Sequence, residues 1–252
     1  MLWASVRSSL LMVIAASCIG GCQSKHKEKS VLYLASSLAP LADDIKGFAR
    51  KSLISIDLIF LSSSAITKHI EYGARCDVAI LADDRYSDHL VHQGLMIRYR
   101  DLMATNSLVI AGGPGAIHAS GLREAFGMMS QANKVILADP KFVPLGRYSE
   151  EVLRNLDLFE ALKDRFILAH SARHARILLE HNPQAMAILF NTDARGRRVK
   201  AIAEIDQELH KPVRYPFLVC KDASKEAVEG IKRLFFSNGF QRSLRAQGFK
   251  DI

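Results

Sequence analysis

Serines follow two short apolar segments near the start of the chain. Residues 31–35 run directly into Ser36 and Ser37, and residues 56–61 run into the serine triplet at 62–64. A helix that begins at such serines presents unpaired backbone N–H groups and a partial positive charge, and the hydroxyls add donors without adding charge. Two helix starts of this kind that converge would enclose a small, fully deprotonated oxyanion.

The elements that must position these serines are short strands alternating with helices. Strands are predicted at 31–35, 55–61, 77–82, 107–111, 134–138, 166–169, 186–190 and 213–219. Helices are predicted at 39–51, 64–73, 84–93, 119–129, 147–156, 172–181, 226–236 and 241–246. This alternation indicates an α/β fold in which helices connect parallel strands.

The N-terminus has the composition of an export signal. Arg7 is the only charge in the first 21 residues, the apolar run 10–16 is too short to span a bilayer, and 19–22 reads Ile-Gly-Gly-Cys. These residues resemble a lipoprotein signal, which predicts a signal peptide at 1–21, lipid attachment at Cys22 and a polar tether at 22–30. The alternatives are an ordinary signal peptide cleaved nearby and an apolar stretch that arose by chance.

The composition limits the classes of partner. The 252 residues carry 34 Lys and Arg against 26 Asp and Glu, a net charge of +8. This charge is spread along the chain and could raise the encounter rate with anions. No basic stripe with interleaved aromatic residues is present, so nucleic-acid binding is not expected. The mature part, about 230 residues, is long enough for one large domain or two small lobes.

Four cysteines are present: Cys18 lies in the proposed signal peptide, and Cys22 is the proposed lipid site. Cys76 and Cys220 remain in the mature part, each in an apolar segment. In an exported protein they could form a disulfide, but two buried free thiols fit the sequence equally well. There is no CxxC or HExxH motif, so a bound metal cofactor is not expected.

Further segments extend the serine pattern along the chain. They are 70–74, 77–80, 82–83, 106–109, 139–148 and 215–216. The most specific is 139–148, which reads Asp-Pro-x-x-x-Pro-x-Gly-x-Tyr. Together, from about residue 31 onward, these segments resemble the periplasmic molybdate-binding proteins of molybdate ABC importers, which are type II periplasmic solute-binding proteins.

The resemblance implies a two-lobed α/β fold. Each lobe would be a mainly parallel sheet flanked by helices, with crossing strands at the hinge and the anion in the cleft. The first lobe would take 31–105 and return through 201–252. The second lobe would take 106–200.

The resemblance also implies an oxyanion-binding set. Carried over by position, the hydroxyl donors are Ser37 and Ser63, and the backbone amide donors are Leu145 and Ala172. The fifth position is usually a tyrosine hydroxyl and is Phe190 here. A hydrogen bond to a charged group contributes about 1.5–3 kcal/mol, so losing this hydroxyl would weaken binding about tenfold or more.

Neighbouring donors could replace the missing hydroxyl. Ser36, Asn191 and Arg173 are the additional candidates, because each lies next to one of the carried-over positions. The structural alternative for Ser37 and Ser63 is that they only cap helices, which is a frequent role of serine. For Arg173 the alternative is a solvated basic run.

The function that the resemblance implies is capture of molybdate or tungstate, with no bond made or broken, for delivery to an ABC permease. The protein would be an exported monomer held at the membrane through Cys22 and would need no cofactor. Phosphate is disfavoured, because it carries a proton at neutral pH and the implied set offers no carboxylate to accept it.

Three alternatives remain from the sequence. One is an exported sensor or interaction protein with an altered oxyanion site, and another is a binder of a different tetrahedral oxyanion such as sulfate. The third is a hydrolase that uses Ser37 or Ser63. The hydrolase is not expected, because the chain has no G-x-S-x-G motif.

Overall fold

The computed structural model describes residues 29–250, with only the backbone described at 99–102. The proposed signal at 1–21, the lipid site Cys22 and nearly all of the tether lie outside the described residues. Among the helices at 29–250, none combines the length and the apolar composition that crossing a bilayer requires.

Strands and helices alternate along most of the chain. The strands are β1 (Ser30–Ala35), β2 (Ile56–Leu61), β3 (Val78–Ile80), β4 (Met96–Asn106), β5 (Leu108–Gly112), β6 (Val135–Ala138), β7 (Phe166–Ala169), β8 (Met186–Phe190), β9 (Lys200–Glu204) and β10 (Val213–Cys220). The α-helices are α1 (Ala42–Lys51), α2 (Ser63–Glu71), α3 (Asp84–His92), α4 (Leu122–Gln131), α5 (Pro144–Asn155), α6 (Phe159–Leu162), α7 (Ala172–Glu180), α8 (Lys225–Phe235) and α9 (Asn238–Gln247). Short 3-10 helices lie at Ser36–Leu41, Lys163–Arg165 and Gln207–Leu209.

The strands form two five-stranded sheets. The first has the order β2-β1-β3-β10-β4 and the second the order β7-β6-β8-β5-β9. In each sheet the first two pairings are parallel and the last two are antiparallel. The two-lobed α/β class is confirmed. Each sheet is mixed because one strand runs opposite to the other four, β10 in the first sheet and β5 in the second.

Strand β1 shows why the first sheet is covered on both faces. Leu32 and Leu34 pack into the main core, whereas Tyr33 packs into a second cluster on the opposite face. Successive side chains of a strand point to opposite faces, so a strand buried on both sides is apolar throughout. The end of β1 is therefore held firmly, and Ser36 and Ser37 follow it directly.

Helix α5 begins three residues earlier than predicted. The sequence predicts a helix at 147–156, but the structure begins it at Pro144. Proline is favoured in the first turn because it lacks the N–H that would be unsatisfied there and its φ is already helical. Leu145 and Gly146 therefore belong to the first turn of the helix.

Strands β4 and β9 were not predicted. Both lie at an edge of their sheet, β4 beside β10 and β9 beside β5. The chain passes from β4 to β5 through the single residue Ser107, so these two strands carry it from the first sheet to the second. Cys76 and Cys220 form a disulfide, which resolves the alternative that the sequence left open.

Candidate oxyanion-binding site

Ser37 lies in the 3-10 turn that follows β1 and is 1% exposed. Its Oγ is 2.9 Å from the hydroxyl of Tyr215 on β10. The residue that precedes this turn is Ala35, whose side chain caps nothing. Ser37 is therefore not an N-cap, and its buried hydroxyl is joined to a second buried hydroxyl.

Ser63 is the first residue of α2 and is also 1% exposed. The N-cap of this helix is Ser62, whose Oγ accepts from the Ala65 N–H at 3.3 Å. Ser63 Oγ instead accepts from the backbone N–H of Ala82, 3.1 Å away, just beyond β3. Because Ser63 accepts in this bond, its own proton is not used there. The capping role thus falls on Ser62, and the alternative that Ser63 only caps a helix is wrong.

Helix α5 meets the same place through Tyr148. The Tyr148 hydroxyl donates to the carbonyl of Ala82 at 3.4 Å, and the N–H of that same residue donates to Ser63. Leu145 lies one turn earlier in α5 and is fully buried. In the first turn of a helix the backbone N–H groups have no intrahelical acceptor, so the Leu145 amide is available as a donor.

Phe190 ends β8 and is 1% exposed. Its ring lies edge-to-face against both Tyr148 and Tyr215, each with a centroid separation of 6.4 Å. These contacts join residues from both sheets into one series, which we call the contact chain. Its members are Ser63, Ala82, Tyr148, Phe190, Tyr215 and Ser37.

Ala172 is the first residue of α7 and is buried. Its helix is capped by Ser171, whose Oγ accepts from the His174 N–H at 3.1 Å. Helix α7 packs against the turn that carries Ser37. Between them lies a cavity of about 300 Å³, whose lining includes Ser36 and Arg173. Arg173 in the first turn of α7 therefore faces this cavity, whereas Ala172 is not among the residues that line it.

The three additional candidates lie in different surroundings. Ser36 and Arg173 share the cavity between the 3-10 turn and α7. The Asn191 side chain instead donates to the carbonyl of Gly248 at 3.3 Å. The structure therefore places two of the three beside the cleft and ties the third to the C-terminal segment.

Asp193 is the buried acidic group of the cavity. It is 2% exposed, lines the cavity together with Arg173 and Arg176, and its Oδ2 has no hydrogen-bond partner among the described residues. Burial raises the pKa of Asp193 to about 7, although Arg176 and Arg173 act in the opposite direction. The carboxyl therefore keeps its proton to a much higher pH than an exposed aspartate does.

Contacts on the other side of the cleft also join the two sheets. Arg147 on α5 forms an ion pair with Asp83, the N-cap of α3, and its guanidinium lies 5.5 Å from the Tyr86 ring centroid. The Tyr86 hydroxyl donates to the carbonyl of Phe142 at 3.5 Å. Burial lowers the pKa of Arg147. Arginine stays charged even when it is partly buried. The ion pair of Arg147 with Asp83 therefore helps to hold the two lobes together.

The contact chain consists of neutral groups. Its polar members are hydroxyls and one backbone amide, and the charged side chains of the cleft lie outside it, in the cavity and at the Arg147 pair. Among residues 29–250, no group of three or more His, Cys, Asp or Glu side chains is arranged to hold a metal ion. The arrangement offers hydrogen-bond donors without net charge.

Sequence reasoning did not single out Tyr215, Asn106 or Thr192. Tyr215 and Asn106 lie in segments that carry the family resemblance, but only the fold brings Tyr215 to Ser37 and Asn106 to Tyr215. Thr192 joins them through Asn106, whose Nδ2 lies 3.0 Å from Thr192 Oγ1. The sequence separations of 178, 109 and 86 residues explain why no local pattern could reveal these contacts.

Known proteins resemble this chain in sequence and in fold. The molybdate-binding protein ModA of Haemophilus influenzae is 27% identical over 194 residues, which are 75% of this chain and 76% of that protein. The solved structure of the Azotobacter vinelandii periplasmic molybdate-binding protein has a TM-score of 0.78 at 16% identity, covering 89% of this chain and 100% of its own.

A second solved structure shares the fold but differs in its ligand. The sulfate-binding protein SubI of Mycobacterium tuberculosis has a TM-score of 0.71 at 12% identity, over 89% of this chain and 86% of its own. The family model described as bacterial extracellular solute-binding protein matches residues 31–250. Since this match spans most of the chain, the protein belongs to the bacterial extracellular solute-binding protein family.

Proposed function

We propose that the protein captures molybdate or tungstate outside the cytoplasm and delivers it to the permease of an ABC importer. What supports this proposal is that two buried serines, Ser37 and Ser63, are linked through the contact chain to helix α5, and that helix α7 packs against the turn that carries Ser37. Helix starts and neutral hydroxyls together favour a small anion. The likeness to ModA supports molybdate as that anion.

The neutral donors suit an anion that has no proton to give. Ser63 already accepts one hydrogen bond, so its proton is free for a ligand oxygen. The amides of Leu145 and Ala172 can only donate. Two buried carboxyl groups lie nearby: Asp83, next to Ala82, is paired with Arg147, and Asp193 lines the neighbouring cavity.

Binding on this proposal is closure of two lobes, with boundaries at 31–105, 106–200 and 201–252, around a dianion. No bond is made or broken, so the protein is not an enzyme and needs no cofactor. The protein acts as an exported monomer anchored through Cys22. Export is supported by the family and by the Cys76–Cys220 disulfide, because disulfides persist in oxidising compartments.

Sulfate is the second candidate ligand. The fold is shared with a sulfate-binding protein, and sulfate is also a dianion without a proton. Sulfate is smaller than molybdate, so the hydroxyl and amide donors of the site would have to lie closer together to bind sulfate. A sensor that binds no oxyanion tightly is the remaining alternative and predicts no calorimetric signal with any of these anions.

The test is titration calorimetry of the purified protein with molybdate, tungstate and sulfate. Ser37→Ala and Ser63→Ala should each weaken binding by about 1.5–3 kcal/mol, the range for hydrogen bonds to a charged group. Ser62→Ala is the matched control, because Ser62 caps the same helix without belonging to the contact chain. It should cost about 0.5–2 kcal/mol of stability and leave the affinity unchanged.

Two outcomes would contradict the proposal. Wild-type protein that binds none of the three anions would remove the oxyanion function altogether. Wild-type affinity in both Ser37→Ala and Ser63→Ala would place the ligand elsewhere in the molecule.

A further inference from the structure

A buried side-chain amide lies behind Ser37. The Asn106 side chain is 2% exposed, and its Oδ1 accepts from the backbone N–H of Ser107 at 3.0 Å. A backbone N–H can only donate, so this bond identifies the oxygen of the amide and fixes the orientation of the whole group. The Nδ2 group must therefore point the other way.

The two N–H bonds of Asn106 meet two hydroxyl oxygens. Nδ2 lies 3.0 Å from Thr192 Oγ1 and 3.3 Å from the hydroxyl oxygen of Tyr215. Because Nδ2 is only a donor, the Tyr215 oxygen accepts from it. The Tyr215 proton must then go to another acceptor, and Ser37 Oγ, 2.9 Å away, is the acceptor that the described residues provide.

Tyr215 keeps its proton for this purpose. Its side chain is fully buried, and burial raises the pKa of Tyr215. A neutral phenol is therefore present throughout the usual pH range. Ser37 accepts from it, so the Ser37 proton is left without an acceptor among the described residues.

We propose that Asn106 and Tyr215 are positioning residues that make Ser37 an obligatory donor and thereby select oxyanions that carry no proton. The bonds run in one direction, from the Asn106 amide to Tyr215, from Tyr215 to Ser37, and from Ser37 to the ligand. This inference rests on the proposed oxyanion function and adds a reason for discrimination against hydrogen phosphate. Hydrogen bonds that follow one another in this way polarise each other, which strengthens the last donor.

Reversing the hydrogen bond between Asn106 and Tyr215 tests whether the direction of this series of bonds makes Ser37 a donor. In Asn106→Asp an oxygen replaces Nδ2, so the new group accepts the Tyr215 proton, and the Tyr215 oxygen then accepts from Ser37. Ser37 would present a lone pair to the ligand. We expect molybdate affinity to fall about tenfold or more, and hydrogen phosphate affinity to fall less or to rise.

The measured quantity is the ratio of the molybdate and hydrogen phosphate affinities in mildly alkaline buffer, obtained by competition calorimetry. Both anions are then dianions, so the added buried carboxylate repels them equally and its charge cancels in the ratio. A fall of about tenfold in the ratio supports the proposal. An equal loss for both anions would overturn it.

Two further variants distinguish a change in hydrogen-bond direction from a loss of folding. Tyr215→Phe removes the hydroxyl that orients Ser37 and should lower the ratio by a smaller factor, so it serves if Asn106→Asp does not fold. Tyr33→Phe is the matched control, because this buried tyrosine bonds His69 on the opposite face of the first sheet. It should leave both affinities unchanged.

The outcomes distinguish this inference from the proposed function. Wild-type protein that binds neither molybdate nor sulfate would remove the proposed function and this inference together. Wild-type protein that binds either anion, with an unchanged ratio to hydrogen phosphate in folded Asn106→Asp and Tyr215→Phe, would remove only the role assigned to Asn106 and Tyr215.

Discussion

At the scale of single residues, the buried rings of Tyr148, Phe190 and Tyr215 form the aromatic part of the contact chain. Phe190 occupies the position at which the family resemblance implies a phenol. The rings of Tyr148 and Tyr215 both lie edge-to-face against it. The hydroxyls of Tyr148 and Tyr215 are each hydrogen-bonded to another residue of the contact chain, Ala82 and Ser37 respectively. A phenol at 190 would therefore add a donor that neither neighbour supplies.

Phe190→Tyr is expected to tighten molybdate binding. The added hydroxyl can donate to the anion, with a gain of at most about 3 kcal/mol, and nearer 1 kcal/mol if it displaces an ordered water. Calorimetry against molybdate, tungstate and sulfate measures the change. No change with any of the three would mean that Phe190 does not face the ligand.

Asp193→Asn is expected to stabilise the protein increasingly as pH rises. The folded pKa of about 7 lies above the ordinary value of 3.8, so the folded state binds more protons between these values and the wild type loses stability as pH rises through them. A difference of this size corresponds to about 4 kcal/mol above pH 7. The gain should be small near pH 4, and largest above pH 7.

Urea unfolding of both proteins across this pH range measures the effect. Asp222→Asn is the control, because Asp222 is exposed. A gain for Asp193→Asn that does not vary with pH would show that Asp193 is not held protonated by burial.

At the scale of elements, local pattern predicts most of the strands and helices but not the edges of the sheets. Apolar runs such as 186–190 coincide with their strands because both faces are buried. Strand β9 begins with Lys200 and ends with Glu204, and among residues 29–250 it pairs with one strand, β5. Edge strands carry charges that discourage further pairing, and the same charges conceal the strand in the sequence.

Local pattern likewise predicts some residues of the candidate site and not others. The serines could be predicted because they follow apolar strands directly, as Ser37 follows β1. The partner of Ser37 could not be predicted, since Tyr215 lies 178 residues away and only the antiparallel return of β10 brings it there. The distinction between Ser62 as cap and Ser63 as contact needs three-dimensional geometry as well.

Gly146→Ala tests how closely the first turn of α5 must approach β6. A Cβ at Gly146 would lie 2.1 Å from the carbonyl oxygen of Ala138, which is backbone and cannot move aside alone. We expect a loss of about 1–3 kcal/mol in stability and weaker molybdate binding, because the Leu145 amide moves with the helix.

Thermal unfolding and calorimetry provide the two measurements. Gly127→Ala is the matched control in helix α4, where a Cβ would meet nothing within 4 Å. It should stabilise the protein by about 0.5–1 kcal/mol and leave binding unchanged. Unaltered stability of Gly146→Ala would show that the two backbones do not approach so closely.

At the scale of the whole molecule, the first sheet is assembled from two distant parts of the chain. β1, β2, β3 and β4 precede the second sheet in sequence, whereas β10 follows it. The Cys76–Cys220 disulfide joins these parts across 144 residues, beside the pairing of β3 with β10. The bond therefore fastens the returning strand to the sheet that it completes.

Removing this bond is expected to destabilise the protein substantially. A cross-link over a long loop restricts the unfolded chain, and loss of a native disulfide typically costs about 2–5 kcal/mol. The double variant Cys76→Ser, Cys220→Ser should therefore show a lower free energy of unfolding in urea. Reductant should lower the stability of the wild type to the same level and leave the variant unaffected. A wild type insensitive to reductant would contradict the assignment.

The disulfide also gives the molecule the topology of a ring with two tails. The ring holds β3 through β10, including the entire second sheet, and the tails hold β1, β2 and the last two helices. A single backbone cleavage inside the ring, for example at the turn of Gly113-Pro114, opens the ring without releasing a fragment. The cleaved protein would migrate as one species on a non-reducing gel and as two after reduction, so proteolytic nicks in the second lobe would escape detection until the bond is reduced.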